Sequence, residues 1–378
     1  MRMKLFNSVL SCFCIICGLM IQELYAQVDK HCTAETRSLY VHLKQMSNRG
    51  KMLFGHQDDV YYGVGWAYVP GRSDVREVAG DYPALLGGDL SSVELGDSLN
   101  IDHVPFRLIR QAAIEQFQAG GVVTFSWHMH NPVTGSSAWD TTGGNVVAAI
   151  LPGGRDHALY VQYLQRGGAF LNSLKTSTGK QIPVILRLFH ELNGNWFWWG
   201  RSHCTAAEMK ALWQFTVQYL RDSLHLHHLL FAWNTDRFAD ADAYLERYPG
   251  DAWTDIIGFD IYQAYDITSN QAFSYQLSHM CHLLDSIAIS HDKIPALTEF
   301  GYNTIPDSSW WTQVLGATIK PYHLAYLLAW RNAGKEANGR QEFYVPYPGQ
   351  ISADDFRQFV ASGRILLRKQ AAMLHLYP

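Results

Sequence analysis

The chain has 378 residues, 48% hydrophobic and 17% charged, enough apolar surface for a large core, which excludes a disordered, collagen-like or coiled-coil protein. Lys and Arg number 30 against 34 Asp and Glu; a net charge of −4 gives no electrostatic reason to expect nucleic acid or an anionic membrane as partner. Length alone suggests two or three domains, but β/α barrels of about 250 residues or more fold as one.

Residues 1–26 combine a basic start (Arg2, Lys4), a mostly apolar run from Leu5 to Ile21 and a small Ala26 before Gln27. This is the pattern of a secretory signal, so residues 27–378 are expected to be secreted or periplasmic, with no stable membrane insertion after cleavage. Lipoprotein anchoring is the less favoured alternative: Ile16 before Cys17 is bulky, and Cys12 comes early. Beyond the signal remain Cys32, Cys204 and Cys281, an odd number. A full disulfide framework is therefore impossible, and the choices are one bridge or three buried thiols.

Eight short apolar runs follow: 51–57, 83–90, 122–128, 183–191, 228–234, 256–262, 295–302 and 325–332. Each is nearly continuous, as a strand buried on both faces of a parallel sheet must be. Amphipathic stretches separate them. Thr205–Leu224 is the clearest, with Thr205 and Glu208 spaced as a capping box; Val104–Ala119 and Gln271–Ser290 behave similarly. Eight strand–helix units without a Pro-, Gly- or Ser-rich linker predict a single (β/α)8 barrel domain, a TIM barrel, over residues 27–378. The competitor, a doubly wound open sheet, usually carries a Gly-rich phosphate loop after its first strand; here that position reads Gly55-His56-Gln57-Asp58-Asp59.

A barrel does its chemistry where the strands end. Those ends carry His56-Gln57-Asp58, Asp89, Trp127-His128, His190-Glu191, Trp233-Asn234, Asp260 and Tyr262, Glu299 and Trp330-Arg331-Asn332. Eight of the 12 Trp (66, 127, 139, 196, 198, 199, 233, 330) lie at or just after them. Aromatic faces over a polar cleft suit sugar rings, and ligand contact is expected of Trp196, Trp198 and Trp199; Trp213, inside a helix, reads as core. Glu191 and Glu299 are the two carboxylates that glycoside cleavage requires, one a protonated acid and the other ionised. Spacing alone leaves a second reading open, in which they form barrel salt bridges, for example with Arg187. His190-Glu191 does not begin a zinc-protease HExxH, because residue 194 is Gly. His225-Leu-His227-His228 reads as solvated surface.

The run Arg187-Leu-Phe-His-Glu-Leu-Asn-Gly-Asn-Trp-Phe-Trp-Trp-Gly200 resembles the signature of glycoside hydrolase family 26, largely endo-β-1,4-mannanases, and Leu297-Thr-Glu-Phe-Gly301 resembles its nucleophile strand. Phe54-Gly-His-Gln57 and Ser126-Trp-His128 are also similar to its early strands, so the likeness spans roughly residues 35–375. The resemblance implies a retaining double displacement on mannan, glucomannan or galactomannan, with Glu191 as acid/base and Glu299 as nucleophile. It implies that Tyr262 hydrogen-bonds the nucleophile and that His128 and Trp196 bind substrate; His190 is read as a donor to the acid or to the bound sugar. Trp330 and Arg331 are placed in the same cleft, Trp233 and Asp236 with less support. Such hydrolysis needs no metal and no organic cofactor, and a monomer is expected. Three alternatives stay open: an exo-acting, mannobiose-releasing enzyme; a β-1,3-xylanase or mixed-linkage glucanase; and a non-catalytic carbohydrate-binding barrel. Loop shape decides among them, and segment 131–156 is expected to wall one end of the cleft.

Overall fold

The computed structural model describes residues 27–264, 266–335 and 339–378; the expected secretory segment, residues 1–26, lies outside the described residues. Eight parallel strands form the barrel: β1 (Met52–Gln57), β2 (Leu85–Asp89), β3 (Val122–Ser126), β4 (Val184–Arg187), β5 (Leu229–Thr235), β6 (Ile256–Gln263), β7 (Ile294–Tyr302) and β8 (Tyr326–Ala329). Each pairs with the next, and β8 returns to β1 in the register Leu53–Tyr326 through His56–Ala329. That closure is the (β/α)8 barrel and excludes the open sheet. Helix α1 (Ala34–Asn48) precedes β1, and α2 (Asp74–Ala79), α3 (Phe106–Gln118), α4 (His157–Asn172), α5 (Ala206–Gln218), α6 (Ala241–Leu245) and α7 (Asn270–His291) follow β1 to β6 in turn. A π-helical turn, Trp310–Gly316, leads from β7 to β8, and α8 (Ala353–Ala361) follows β8. The Thr205–Glu208 capping box starts α5, whose expected extension to residue 224 continues as a π-helical turn, Tyr219–Ser223.

The period of two along each strand sorts the core. Leu53, Leu85, Val122, Ile185, Leu230, Ile256, Ile294 and Tyr326 fill the barrel interior, and Leu39, Tyr40, Leu43 and Met46 of α1 pack into the same cluster. Their neighbours Phe54, Leu86, Val123, Leu186, Phe231, Ile257, Leu297 and Leu327 face the helices instead. Counting upward in twos brings Gln57, Asp89, Ser126, Arg187, Asn234 and Asp260 to the inner face at the top. The interior is thus apolar below and polar above.

One irregularity shapes the top layer. Phe259 pairs with Leu297, but Asp260 pairs with Glu299, so Thr298 is an extra residue in β7. Thr298 Oγ1 donates to Phe259 O at 3.0 Å and Asp260 Oδ1 at 2.8 Å. A Cβ on Gly258 would lie 2.4 Å from Thr298 Cγ2, so the bulge needs glycine opposite it. The bulge re-aims the following residue, Glu299.

Several apolar runs outlast their strands. The run 183–191 is a strand only to Arg187, because Phe189 (φ 43°) and Glu191 (φ 53°) are left-handed; such non-glycine residues cost about 1–3 kcal/mol each. Cys32, Cys204 and Cys281 are buried free thiols. The histidine run is not all solvated surface. His225 is exposed, but His227 Nδ1 pairs with Asp29 at 2.8 Å, and His228 is buried with Nε2 3.1 Å from Leu171 O.

Candidate active site

Glu299 sits at the top of β7 between two donors. Arg187, from the inner face of β4, directs one guanidinium nitrogen to Glu299 Oε2 at 2.5 Å and the other to Asp260 Oδ2 at 2.7 Å. Tyr262, two residues beyond Asp260 on the same face of β6, donates to Glu299 Oε1 at 2.5 Å. Burial and the Glu299 charge hold the Tyr262 phenol far above its ordinary range, so it remains a donor.

Glu191 approaches from the loop after β4. Its left-handed backbone turns the side chain back over the barrel mouth, where Trp196 Nε1 donates to Oε2 at 2.6 Å. One carboxylate oxygen each from Glu191, Asp260 and Glu299 lies within 4.8 Å of the others. Among the described residues this is the one set of acids, imidazoles and thiols converged tightly enough for a cation. The Arg187 guanidinium already contacts two of the three, and its positive charge does there what a metal ion would. Burial, then the charges of Asp260, Glu299 and Asp236, push the Glu191 carboxyl well above the usual carboxylate range; the Trp196 hydrogen bond opposes them. Glu191 is therefore a carboxyl that holds its proton.

A second polar chain flanks the pair. Asp89, ending β2, accepts from Ser126 Oγ at 2.6 Å and bonds His128 Nδ1 at 2.7 Å; His128 Nε2 meets His190 Nε2 at 3.1 Å. Burial works against it, but the His128 charge and the bonds from His128, Ser126 and Ser91 hold Asp89 below its usual range. Burial, then His128 and Arg187, push His190 well below the ordinary imidazole range, so it is neutral. Its Nδ1 has no partner among the described residues.

A cavity of about 460 Å³ opens above these groups, and Glu191, Glu299, His128, His190, Trp196, Tyr262, Trp330 and Arg331 all line it. The sequence model of glycosyl hydrolase family 26 matches residues 28–314. The chain belongs to glycosyl hydrolase family 26. A mannan endo-1,4-beta-mannosidase of Bifidobacterium adolescentis is 32% identical over 357 residues, which is 90% of this chain. The chain spans about a third of that relative's length (35%) and about half (52%) of a Thermothelomyces thermophilus mannan endo-1,4-beta-mannosidase that is 28% identical. Among solved structures, a family 26 beta-mannanase from Bacteroides ovatus is 42% identical with a TM-score of 0.86, covering 92% of this chain and 98% of that one.

Asp102, Glu342 and Tyr344 also line this family 26 cavity and escape the sequence pattern, while Trp139 and Phe197 line it from segments that the pattern marks. Arg331 is held by Asp102 at 3.1 Å and Glu342 at 3.4 Å. Trp139 lies in segment 131–156, which does wall the pocket, and stacks on His128 with ring centres 5.0 Å apart. Two expectations about tryptophan are corrected. Trp198 and Trp199 are fully buried, their indoles donating to Met129 O and His190 O at 2.9 Å, so they brace the loop; of that trio only Trp196 faces the cavity. Trp233 points outward from β5 and packs edge-on against Tyr244 and Tyr248. Asp236 is felt by Glu191 as a charge, though it does not line the cavity.

The salt-bridge reading of Glu299 thus holds beside its place in the cavity. Arg187→Ala should leave Asp260 and Glu299 without their shared counter-charge. We expect a loss of about 3–5 kcal/mol in urea unfolding; a change below about 1 kcal/mol would contradict this account of the top layer.

Proposed function

We propose that this chain is a retaining endo-β-1,4-mannanase. The observation that carries the reading is the approach of the Glu191 and Glu299 carboxylate oxygens to within 4.8 Å. Retaining glycosidases hold their carboxyl groups about 5–5.5 Å apart, and inverting ones about 6.5–9.5 Å, which leaves room for a water. The relatives' names support mannan as the substrate.

In the first step Glu299 attacks the anomeric carbon while Glu191 gives its proton to the departing glycosidic oxygen. Arg187 and Tyr262 aim the Glu299 carboxylate. Loss of that negative charge in the glycosyl ester favours proton loss from Glu191, because Glu299 is one of the charges that raises its pKa. Glu191 then takes a proton from the incoming water, which frees the sugar with its configuration retained. His190, neutral, and His128 line the cavity and bind sugar hydroxyls. Trp196 offers a half-exposed indole face beside the acid (40% exposed). Export is supported by the charged start and apolar run of residues 1–26.

The test is digestion of mannan, glucomannan, galactomannan, xylan and lichenan with product analysis. Release of manno-oligosaccharides from the three mannans, with xylan and lichenan left intact, is the expected result. Preferential cleavage of xylan or lichenan would overturn the assignment.

A further inference from the structure

Beside the catalytic pocket lies a second cavity of about 430 Å³, lined by Tyr262, Gln263, Tyr302, Asn303, Arg340 and Tyr344 among others. Tyr262 and Tyr344 line both cavities, so the two are separated by a tyrosine partition. The partition is built into the fold. The two rings meet edge-on, with centres 5.5 Å apart and planes at 74°. Asn332 Oδ1 accepts from Tyr344 N at 2.8 Å and holds that strand of loop in place. A Cβ on Gly301 would lie 2.3 Å from Tyr344 and 2.8 Å from Tyr262, so only glycine at this point of β7 lets the rings close over it.

The chemistry of the second cavity is distinctive. Among the described residues no carboxylate lines it, and Arg340 is its charged group. The amides are already engaged: Gln263 binds Ser269, Asn270 and Trp310, and Asn303 donates to Gln341 O and accepts from Phe343 N. Tyr262 is committed to Glu299. Tyr302 differs. It is only 1% exposed and packs against Trp310, yet its hydroxyl has no hydrogen-bond partner among the described residues. A buried hydroxyl without a partner is costly, and a ligand hydroxyl would relieve that cost. Tyrosine faces, one neutral donor–acceptor and one guanidinium suit a neutral polyol ring, and repel a cation.

We propose that this cavity is a second hexosyl-binding chamber of the same cleft, with Tyr302 and Arg340 as its hydrogen-bonding residues. The inference rests on the glycoside hydrolase reading and extends it to a substrate unit beyond those at the scissile bond. That unit comes from one of two sources, a further sugar of the backbone or a hexosyl branch.

The experiment compares wild type, Tyr302→Phe and Arg340→Ala on linear mannohexaose, on galactomannan, and on 2,4-dinitrophenyl β-mannoside, a single sugar with an activated leaving group. Both variants are expected to raise KM about 3–10-fold on at least one of the two long substrates while changing kcat less than twofold, and to leave the single-sugar substrate within twofold of wild type. An effect on mannohexaose identifies a backbone unit; an effect confined to galactomannan identifies a branch. Wild-type KM in both variants on both long substrates would overturn the chamber while leaving the mannanase reading intact. An equal loss on the single-sugar substrate would also overturn it, since the residues would then be structural. A wild-type enzyme that cleaves neither long substrate would bring down the functional reading and the chamber together.

Discussion

Alanine at position 299 is expected to lower kcat on mannan by about 10⁴-fold or more, because it deletes the nucleophile and leaves no other group to form the glycosyl ester. Asp260 does not replace it: that carboxylate is fully buried and engaged with Arg187 and Thr298. The fold should survive, since Arg187 keeps Asp260 as its partner and the cavity left behind opens to solvent. Steady-state rates on mannan, with a thermal unfolding curve to show a folded protein, check both halves. Activity above about one-tenth of wild type in a folded Glu299→Ala protein would remove Glu299 from the mechanism.

The second large effect depends on the leaving group. Glu191→Ala should lower kcat on mannan by about 10²–10⁴-fold, the usual worth of a general acid. It should lower formation of the glycosyl ester from 2,4-dinitrophenyl β-mannoside far less, because that leaving group departs without a proton. Binding of polymer should persist, as Glu191 is one contact among many. The pH profile carries a matching signature. The Glu191 pKa is raised, first by burial and then by Asp260, Glu299 and Asp236, so the acid stays protonated above the usual carboxylate range. Activity on mannan is lost as pH rises through that raised value, giving the alkaline limb of kcat/KM. With Glu191 removed, this limb should vanish from the profile on the activated substrate. An unchanged hydrolysis rate on mannan, or an alkaline limb that persists in the variant, would show that another group supplies the proton.

The barrel was legible because its cause is local. Eight runs buried on both faces must be continuously apolar, and they alternate with amphipathic stretches. Glu299 and Tyr262 were legible in position for a related reason: each is a polar residue in the upper part of such a run. Position 191 was legible in identity, but its backbone was not. The apolar pattern continues through Phe189, while the chain leaves the strand at Arg187 through two left-handed residues. Backbone strain of this kind is imposed by the tertiary site and has no compositional sign. The Thr298 bulge is equally silent, since it arises from Gly258 on the neighbouring strand. Asp260 stood in plain view at a strand end, but its shared hold on Arg187 with Glu299 depends on which strands lie side by side. Trp198 and Trp199 misled because tryptophan serves a sugar platform and a loop brace equally well; only the carbonyls of Met129 and His190 decide between them. Glu342 and Tyr344 belong to a loop after β8, where no periodicity guides the eye.

The most direct measurement is proton NMR of the first sugars released from a manno-oligosaccharide, recorded before mutarotation. Two carboxylates as close as Glu191 and Glu299 predict the β-anomer as the initial product, relaxing later towards the equilibrium mixture. Initial appearance of the α-anomer would mean a single displacement by water, and would contradict the assignment of Glu299 as nucleophile.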